Sequence, residues 1–170
     1  MGKRSDFERM KNDLYSTPYE AVLPLIPHLE RGTRFCEPCA GEGALIKHLN
    51  KHGHVCVSAF DVDPQHNYPV LDASFLTMDD VRDADFIITN PPWKREVLQN
   101  LIDRFVVMRP TWLLFDADWV HTRQSMAYMP YCHKVVSIGR VRWFGNTVGK
   151  DNACWYLFDS PTNQTRFVGR

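Results

Sequence analysis

Apolar residues occur along this 170-residue chain in short blocks of two kinds. Phe35-Cys36, Val55-Cys56-Val57-Ser58-Ala59-Phe60 and Phe86-Ile87-Ile88-Thr89 are compact and rich in β-branched or aromatic residues, the pattern of buried strands. Ala44-Leu45-Ile46-Lys47-His48-Leu49 has a helical pattern, and Leu98, Leu101, Ile102 and Phe105 recur at helical spacing as one apolar stripe, read here as core. Pro110 closes that second helix, and Trp112-Leu113-Leu114-Phe115-Asp116-Ala117-Asp118-Trp119 reads as a fifth strand running into a polar tip. Lys134-Val135-Val136-Ser137-Ile138 and Ala153-Cys154-Trp155-Tyr156-Leu157-Phe158 flank Gly145 to Asn152, which predicts a closing hairpin with a long polar connection. Alternating strand and helix predicts an α/β fold: one mostly parallel sheet, helices on both faces, a C-terminal antiparallel hairpin, and ligands at the strand carboxyl ends. The whole length, 1–170, reads as a single domain with no separate target-recognition domain.

Two polar segments interrupt this pattern where ligands are expected. Asn90-Pro91-Pro92-Trp93 follows the strand Phe86–Thr89. Each proline fixes its own φ and forces its predecessor to be extended, so the backbone carbonyls there join neither a helix nor a ladder. The Asn90 side-chain oxygen and the Pro91 main-chain oxygen together suit an amino group that must be held by two acceptors while its nitrogen reacts. Trp93 adds a flat apolar face. The other segment, Glu37-Pro38-Cys39-Ala40-Gly41-Glu42-Gly43, lies between a strand and a helix. Gly41 and Gly43 permit a tight turn with close approach to a ligand, and the helix start offers free N–H groups. With only two glycines and no Lys-Ser/Thr, the loop matches neither the dinucleotide fingerprint nor a phosphate loop, which disfavours a pyrophosphate ligand. Asp61, about twenty residues beyond the glycines, stands where such folds grip ribose hydroxyls.

These segments resemble the class I S-adenosylmethionine-dependent methyltransferases. Asn90-Pro91-Pro92-Trp93 narrows the resemblance to the amino-methyltransferases of exocyclic nitrogens, chiefly the N6-adenine DNA methyltransferases. The resemblance implies a Rossmann-like domain that binds S-adenosylmethionine and transfers its methyl group to an amino nitrogen. It places a Thr-Pro pair at the methionine end of the cofactor, matched by Tyr15, Thr17 and Pro18, and an acidic glycine loop matched by Glu37, Pro38, Cys39, Ala40, Gly41 and Gly43. The ribose carboxylate falls on Asp61, followed by Val62. The adenine-contacting segment falls on Asp72, Ser74 and Phe75, where the departure from the family pattern leaves Asp72 and Ser74 as alternatives for one contact. Asn90, Pro91, Pro92 and Trp93 are the implied catalytic residues, with Asn90 also bordering the cofactor.

Composition sharpens the reading at a few points. No apolar run is long enough to span a bilayer, the charged N-terminus does not read as a secretory signal, and five scattered cysteines fit reduced thiols in a cytoplasm. Cys36 and Cys39 form an isolated C-x-x-C within the cofactor loop, and His48 and His52 lack a convincing third ligand, so no metal site is read. Asp116 and Asp118 are assigned to loop structure or substrate contact, because methyl transfer from a sulfonium needs no carboxylate pair. Net charge is zero, yet from Tyr131 onward six cations face two carboxylates, an excess of four. Nucleic acid, DNA ahead of RNA, is therefore the expected partner, contacted by Lys94, Arg95, Arg123, Arg140, Arg142 and Lys150; a solvated charged face is the competing account. The same motifs also admit a ribosomal-RNA adenine or protein-glutamine methyltransferase and a catalytically silent cofactor-fold subunit. Pro38-Cys39 does not occupy the position of the nucleophile in cytosine-C5 enzymes. The oligomeric state is left open between a monomer and a weak dimer.

Overall fold

The structure, a computed structural model, describes residues 15–63, 71–72, 80–143 and 151–170, with only the backbone of Asp72. Ser74, Phe75, Lys150 and the hairpin tip at 144–150 lie outside the described residues. Eight strands form one sheet: β1 (Arg34–Glu37), β2 (Val55–Asp61), β3 (Leu71–Asp72), β4 (Phe86–Thr89), β5 (Thr111–Asp116), β6 (Cys132–Arg140), β7 (Asn152–Phe158) and β8 (Arg166–Val168). Their spatial order is β3-β2-β1-β4-β5-β7-β6-β8. Strands β1 to β5 pair in parallel, and β7 runs antiparallel to both β5 and β6. The expected parallel sheet with a closing antiparallel hairpin is therefore present. A further edge strand, β8, pairs in parallel with β6 and was not legible in the sequence. It is three residues long, and Thr165 Oγ1 pins its start by donating to Cys132 O at 2.7 Å.

Side chains alternate across the strands into two cores. Cys36, Ile87, Leu113, Phe115 and Tyr156 point to one face, where helix α3 (Arg95–Val106) lays down Leu98, Ile102 and Phe105. Phe35, Ile88, Trp112, Leu114 and Trp155 point to the other, covered by α1 (Tyr19–Val22) and by Leu45, Ile46 and Leu49 of α2 (Ala44–Lys51). Burial on both faces explains the near-continuous apolar runs of β4 and β5. Leu101, read as part of the α3 stripe, is only partly buried at its margin.

The fifth strand is shorter than its apolar run. It ends at Asp116, whose side chain accepts from Asp118 N at 2.9 Å and turns the chain into a 3-10 segment, Ala117–His121. An aspartate at such a position competes with the sheet ladder for a backbone N–H and so stops the strand. Trp119 then folds back onto Phe115 and Tyr156, with ring centroids 5.1 and 5.5 Å away. Asp116 thus has a capping role, not that of one member of a carboxylate pair.

Candidate active site

The strand order reverses between β1 and β4, so the loops leaving their carboxyl ends diverge and open a crevice at the sheet edge. One wall is the glycine turn. Gly41 and Gly43 have φ of 48° and 76°, left-handed values that a β-carbon disfavours, and Gly43 caps α2. Gly41 N donates to Asp61 Oδ2 at 2.8 Å, and Asp63 N donates to Oδ1 at 2.9 Å. Asp61 therefore ties the turn after β1 to the end of β2 through Oδ2 and holds its own turn through Oδ1. A carboxylate has about four lone-pair directions, so each oxygen retains acceptor capacity for a hydroxyl. Val62, next to it, is exposed, and the Asp72 backbone pairs with that of Asp61 across β2 and β3.

Glu37 ends β1 beneath this turn. It is 1% exposed, and its Oε2 has no hydrogen-bond partner. Burial, with the negative charge of Asp61 added, pushes its carboxyl well above the usual carboxylate range. A buried acid without a partner is costly unless a cation or donor arrives to meet it. The methionine end of S-adenosylmethionine carries both an ammonium and a sulfonium, so the donor set fits that group. Glu37, the glycine turn and Asp61 are the residues that would hold it. The thiols of Cys36 and Cys39 are pushed up to about 12 by burial and stay neutral. Among the described residues no group of three or more metal-binding side chains occurs.

The opposite wall is Asn90 to Trp93, which leads without helix or strand from β4 to Lys94, the residue that caps α3. Asn90 Nδ2 donates to Thr17 Oγ1 at 3.2 Å and to Tyr15 O at 3.5 Å. Only the amide nitrogen can donate to a backbone carbonyl, so this pair of contacts fixes which way the amide faces. Its oxygen is left for another donor. Trp93 is partly buried at the rim of both cores, with Nε1 donating to Leu114 O on β5 at 3.2 Å.

The N-terminal segment joins this wall. Tyr15 to Pro18 leads into α1 with Pro18 extended, Thr17 is buried, and Tyr19 packs against His48 of α2 and His52, which caps that helix. Tyr19 Oη and His52 Nε2 share a hydrogen bond at 3.0 Å. These two histidines are thus packing partners that dock the segment.

Trp143 was missed by sequence reasoning. It lies edge-on to Trp93 with centroids 5.6 Å apart and 6.3 Å from the Tyr15 ring, which gives three aromatics beside Asn90. Its signal was the alternation at the end of β6: Val141 is buried and Trp143 packs against the same core, while Arg140 and Arg142, alternating with them, are exposed. Lys94 and Arg95 are exposed directly after Trp93. Arg123 lies in a 3-10 segment after β5, Arg123–Ala127, and is exposed.

No known protein-family profile matches the sequence, and no curated protein sequence does. Solved structures do. A proposed RNA methyltransferase from Pyrococcus horikoshii aligns over 92% of each chain at 14% identity, with a TM-score of 0.64. A type I restriction-modification methyltransferase subunit from Streptococcus thermophilus aligns with 92% of this chain at 9% identity and a TM-score of 0.60. This chain spans about half of that subunit, 47% of its length. Precorrin-6y C5,15-methyltransferase from Geobacter metallireducens aligns over 94% of this chain and 98% of its own at 14% identity, with a TM-score of 0.55. The chain therefore has the Rossmann-like fold of the S-adenosylmethionine-dependent methyltransferases. Among the described residues no helix is long and apolar enough to cross a membrane.

Proposed function

We propose that this chain is an S-adenosylmethionine-dependent N-methyltransferase that modifies an exocyclic amino nitrogen, N6 of adenine in DNA. The observation that carries this reading is the Asn90 amide, whose nitrogen is anchored by Thr17 and Tyr15, which leaves its oxygen as the acceptor.

Bound S-adenosylmethionine would supply a methyl group on a sulfonium, already activated for transfer. The chain's own task is to align, to desolvate and to raise the nucleophilicity of a poor amine. Glu37 meets positive charge, Asp61 accepts from ribose hydroxyls, and the glycine turn allows close approach. Asn90 Oδ1 and the Pro91 carbonyl accept the two amino hydrogens, which increases electron density on nitrogen as the new bond forms. Trp93, backed by Trp143 and Tyr15, provides flat apolar surface for a base taken out of its stack, where aromatic stacking is worth ~1–3 kcal/mol. Lys94, Arg95, Arg140 and Arg142 rim the same edge and suit a phosphate backbone. Type I restriction-modification subunits among the structural neighbours are consistent with a DNA target. The five cysteines are all unpaired, which suits a cytoplasmic setting.

A second reading, adenine in RNA, draws support from a structural neighbour that aligns over 92% of each chain, a proposed RNA methyltransferase. Radiolabelled S-adenosylmethionine offered with duplex DNA, single-stranded DNA, ribosomal RNA and protein extract separates the two. N6-methyladenosine appearing in RNA alone would select the second reading. Label on cytosine or glutamine would overturn both.

A further inference from the structure

The strap that reaches the Asn90 amide is not held by the sheet. Among the described residues, Ser16 and Thr17 make no backbone–backbone hydrogen bond, so side chains must keep this stretch in place. One hold is the Asn90 contact itself, Nδ2 to Thr17 Oγ1 at 3.2 Å. Such a bond is lost beyond about 3.5 Å, so a slip of the strap by a few tenths of an ångström frees the amide to turn over.

The other holds come from the end of α2. Tyr19, two residues after Thr17, stacks on His52 with ring centroids 5.8 Å apart, and Tyr19 Oη shares a hydrogen bond with His52 Nε2 at 3.0 Å. His48, one turn earlier, lies 5.2 Å from the same ring, and Lys51 Nζ stands 4.8 Å from its centroid. Burial holds His48 below the ordinary histidine value, and a hydrogen bond to the Thr17 backbone opposes that shift. Three side chains of one short helix thus converge on Tyr19 and Thr17. The Tyr19 phenol is only partly buried and could be satisfied by water, so its bond to His52 contributes position more than stability. Gly43 caps the start of α2 in the glycine turn, which refers the strap to the helix on which the cofactor site is built.

We propose that Tyr19 and His52 are positioning residues for methyl transfer: their hydrogen bond fixes Thr17 against Asn90 and so keeps the amide oxygen available to the amino group of the substrate. The proposal rests on the N-methyltransferase reading above and extends it to a pair that acts through Thr17, away from the reacting atoms.

The test is single-turnover methyl transfer at saturating S-adenosylmethionine, on the substrate that the radiolabelled pools identify. Tyr19→Phe removes only the hydroxyl and keeps the ring among its neighbours. It should lower the rate roughly three- to tenfold, the worth of one net hydrogen bond, with the cofactor dissociation constant unchanged. His52→Ala should lose at least as much, and His52→Gln, which keeps a hydrogen-bonding group near the position of Nε2, should recover most of it. In a Thr17→Val background Tyr19→Phe should add little, because the hydroxyl that the strap delivers is already gone. The Asn90 side-chain NH2 signals of isotope-labelled protein, assigned by their loss in Asn90→Ala, should move toward those of a free amide in Tyr19→Phe. A lower melting temperature with an unchanged rate and unmoved Asn90 signals would mean that the pair only docks the segment, and full additivity with Thr17→Val would break the route through Thr17. Either result overturns the proposal and leaves the methyltransferase reading standing. A parent protein that methylates none of the pools overturns both.

Discussion

Replacing Glu37 by glutamine should move stability and cofactor affinity in opposite directions. The side chain is 1% exposed, Oε2 has no partner, and burial followed by the charge of Asp61 holds the carboxyl well above the usual range. A raised folded-state value means that the native protein binds the proton more tightly than the unfolded chain. Above the ordinary carboxylate value, stability is therefore lost as pH rises through the folded-state value. Glutamine removes the titrating proton while keeping the shape. The unliganded Glu37→Gln protein should melt at a higher temperature than the parent at neutral pH, and the gap should close as the pH approaches 4.5, the ordinary value of the group. Cofactor binding should change the other way, because a carboxylate meeting a cation loses its charge. A charge-assisted hydrogen bond is worth ~1.5–3 kcal/mol, which weakens affinity roughly ten- to over a hundredfold. Titration calorimetry in buffers of differing ionisation heat adds a third readout. Binding to the parent should release a proton from Glu37, and binding to Glu37→Gln should not. If the variant binds S-adenosylmethionine as well as the parent does, or if its unliganded form is less stable at neutral pH, the assignment of Glu37 to the cationic end of the cofactor fails.

Asp61→Asn should weaken cofactor affinity about tenfold or more by losing charge toward the ribose, while keeping an acceptor for the glycine turn; calorimetry checks it, and an unchanged dissociation constant would remove Asp61 from the site. Asn90→Ala should lower single-turnover rate on the order of a hundredfold with cofactor affinity intact. Thr17→Val should lower that rate by less and add little in the Asn90→Ala background, since it acts by letting the amide turn; full additivity of the pair would refute the coupling. Trp93→Phe loses the bond to Leu114 O and should cost about 1 kcal/mol in kcat/KM. Trp93→Ala should cost more on paired than on mispaired target adenine, and equal losses on both would exclude stacking on a flipped base.

Much of this site was legible because its chemistry is local in sequence. The glycine turn, Asp61 and Asn90 to Trp93 each lie at the end of an apolar strand run, and strand order then brings the ends together. What escaped depended on partners far away in the chain. Trp143 gains its place only when the end of β6 crosses above Trp93, fifty residues earlier in sequence. β8 has too few residues to show a period, and its strand character comes from pairing with an edge that the sequence leaves unmarked. The point at which β5 gives way to its polar tip is set by a single capping aspartate, although Ala117 and Trp119 continue the apolar run.

The least local element is the segment from Tyr15 to Tyr19, and it binds the two walls of the crevice into one device. Tyr19 is docked on α2, the helix that the glycine turn begins, by ring contacts with His48 and His52. Two residues earlier, Thr17 receives the Asn90 amide at the end of β4. Ala21, two residues later, accepts from buried Trp155 Nε1 at 2.8 Å, which fixes the same segment to the sheet. An asparagine on an exposed turn can present either end of its amide to a substrate, and half of those orientations would offer donors to an amino group that needs acceptors. The segment removes that ambiguity from a distance of more than seventy residues. A threonine expected only as a cofactor contact thereby also sets the polarity of the proposed catalytic amide, so the cofactor side and the substrate side of the crevice share one support.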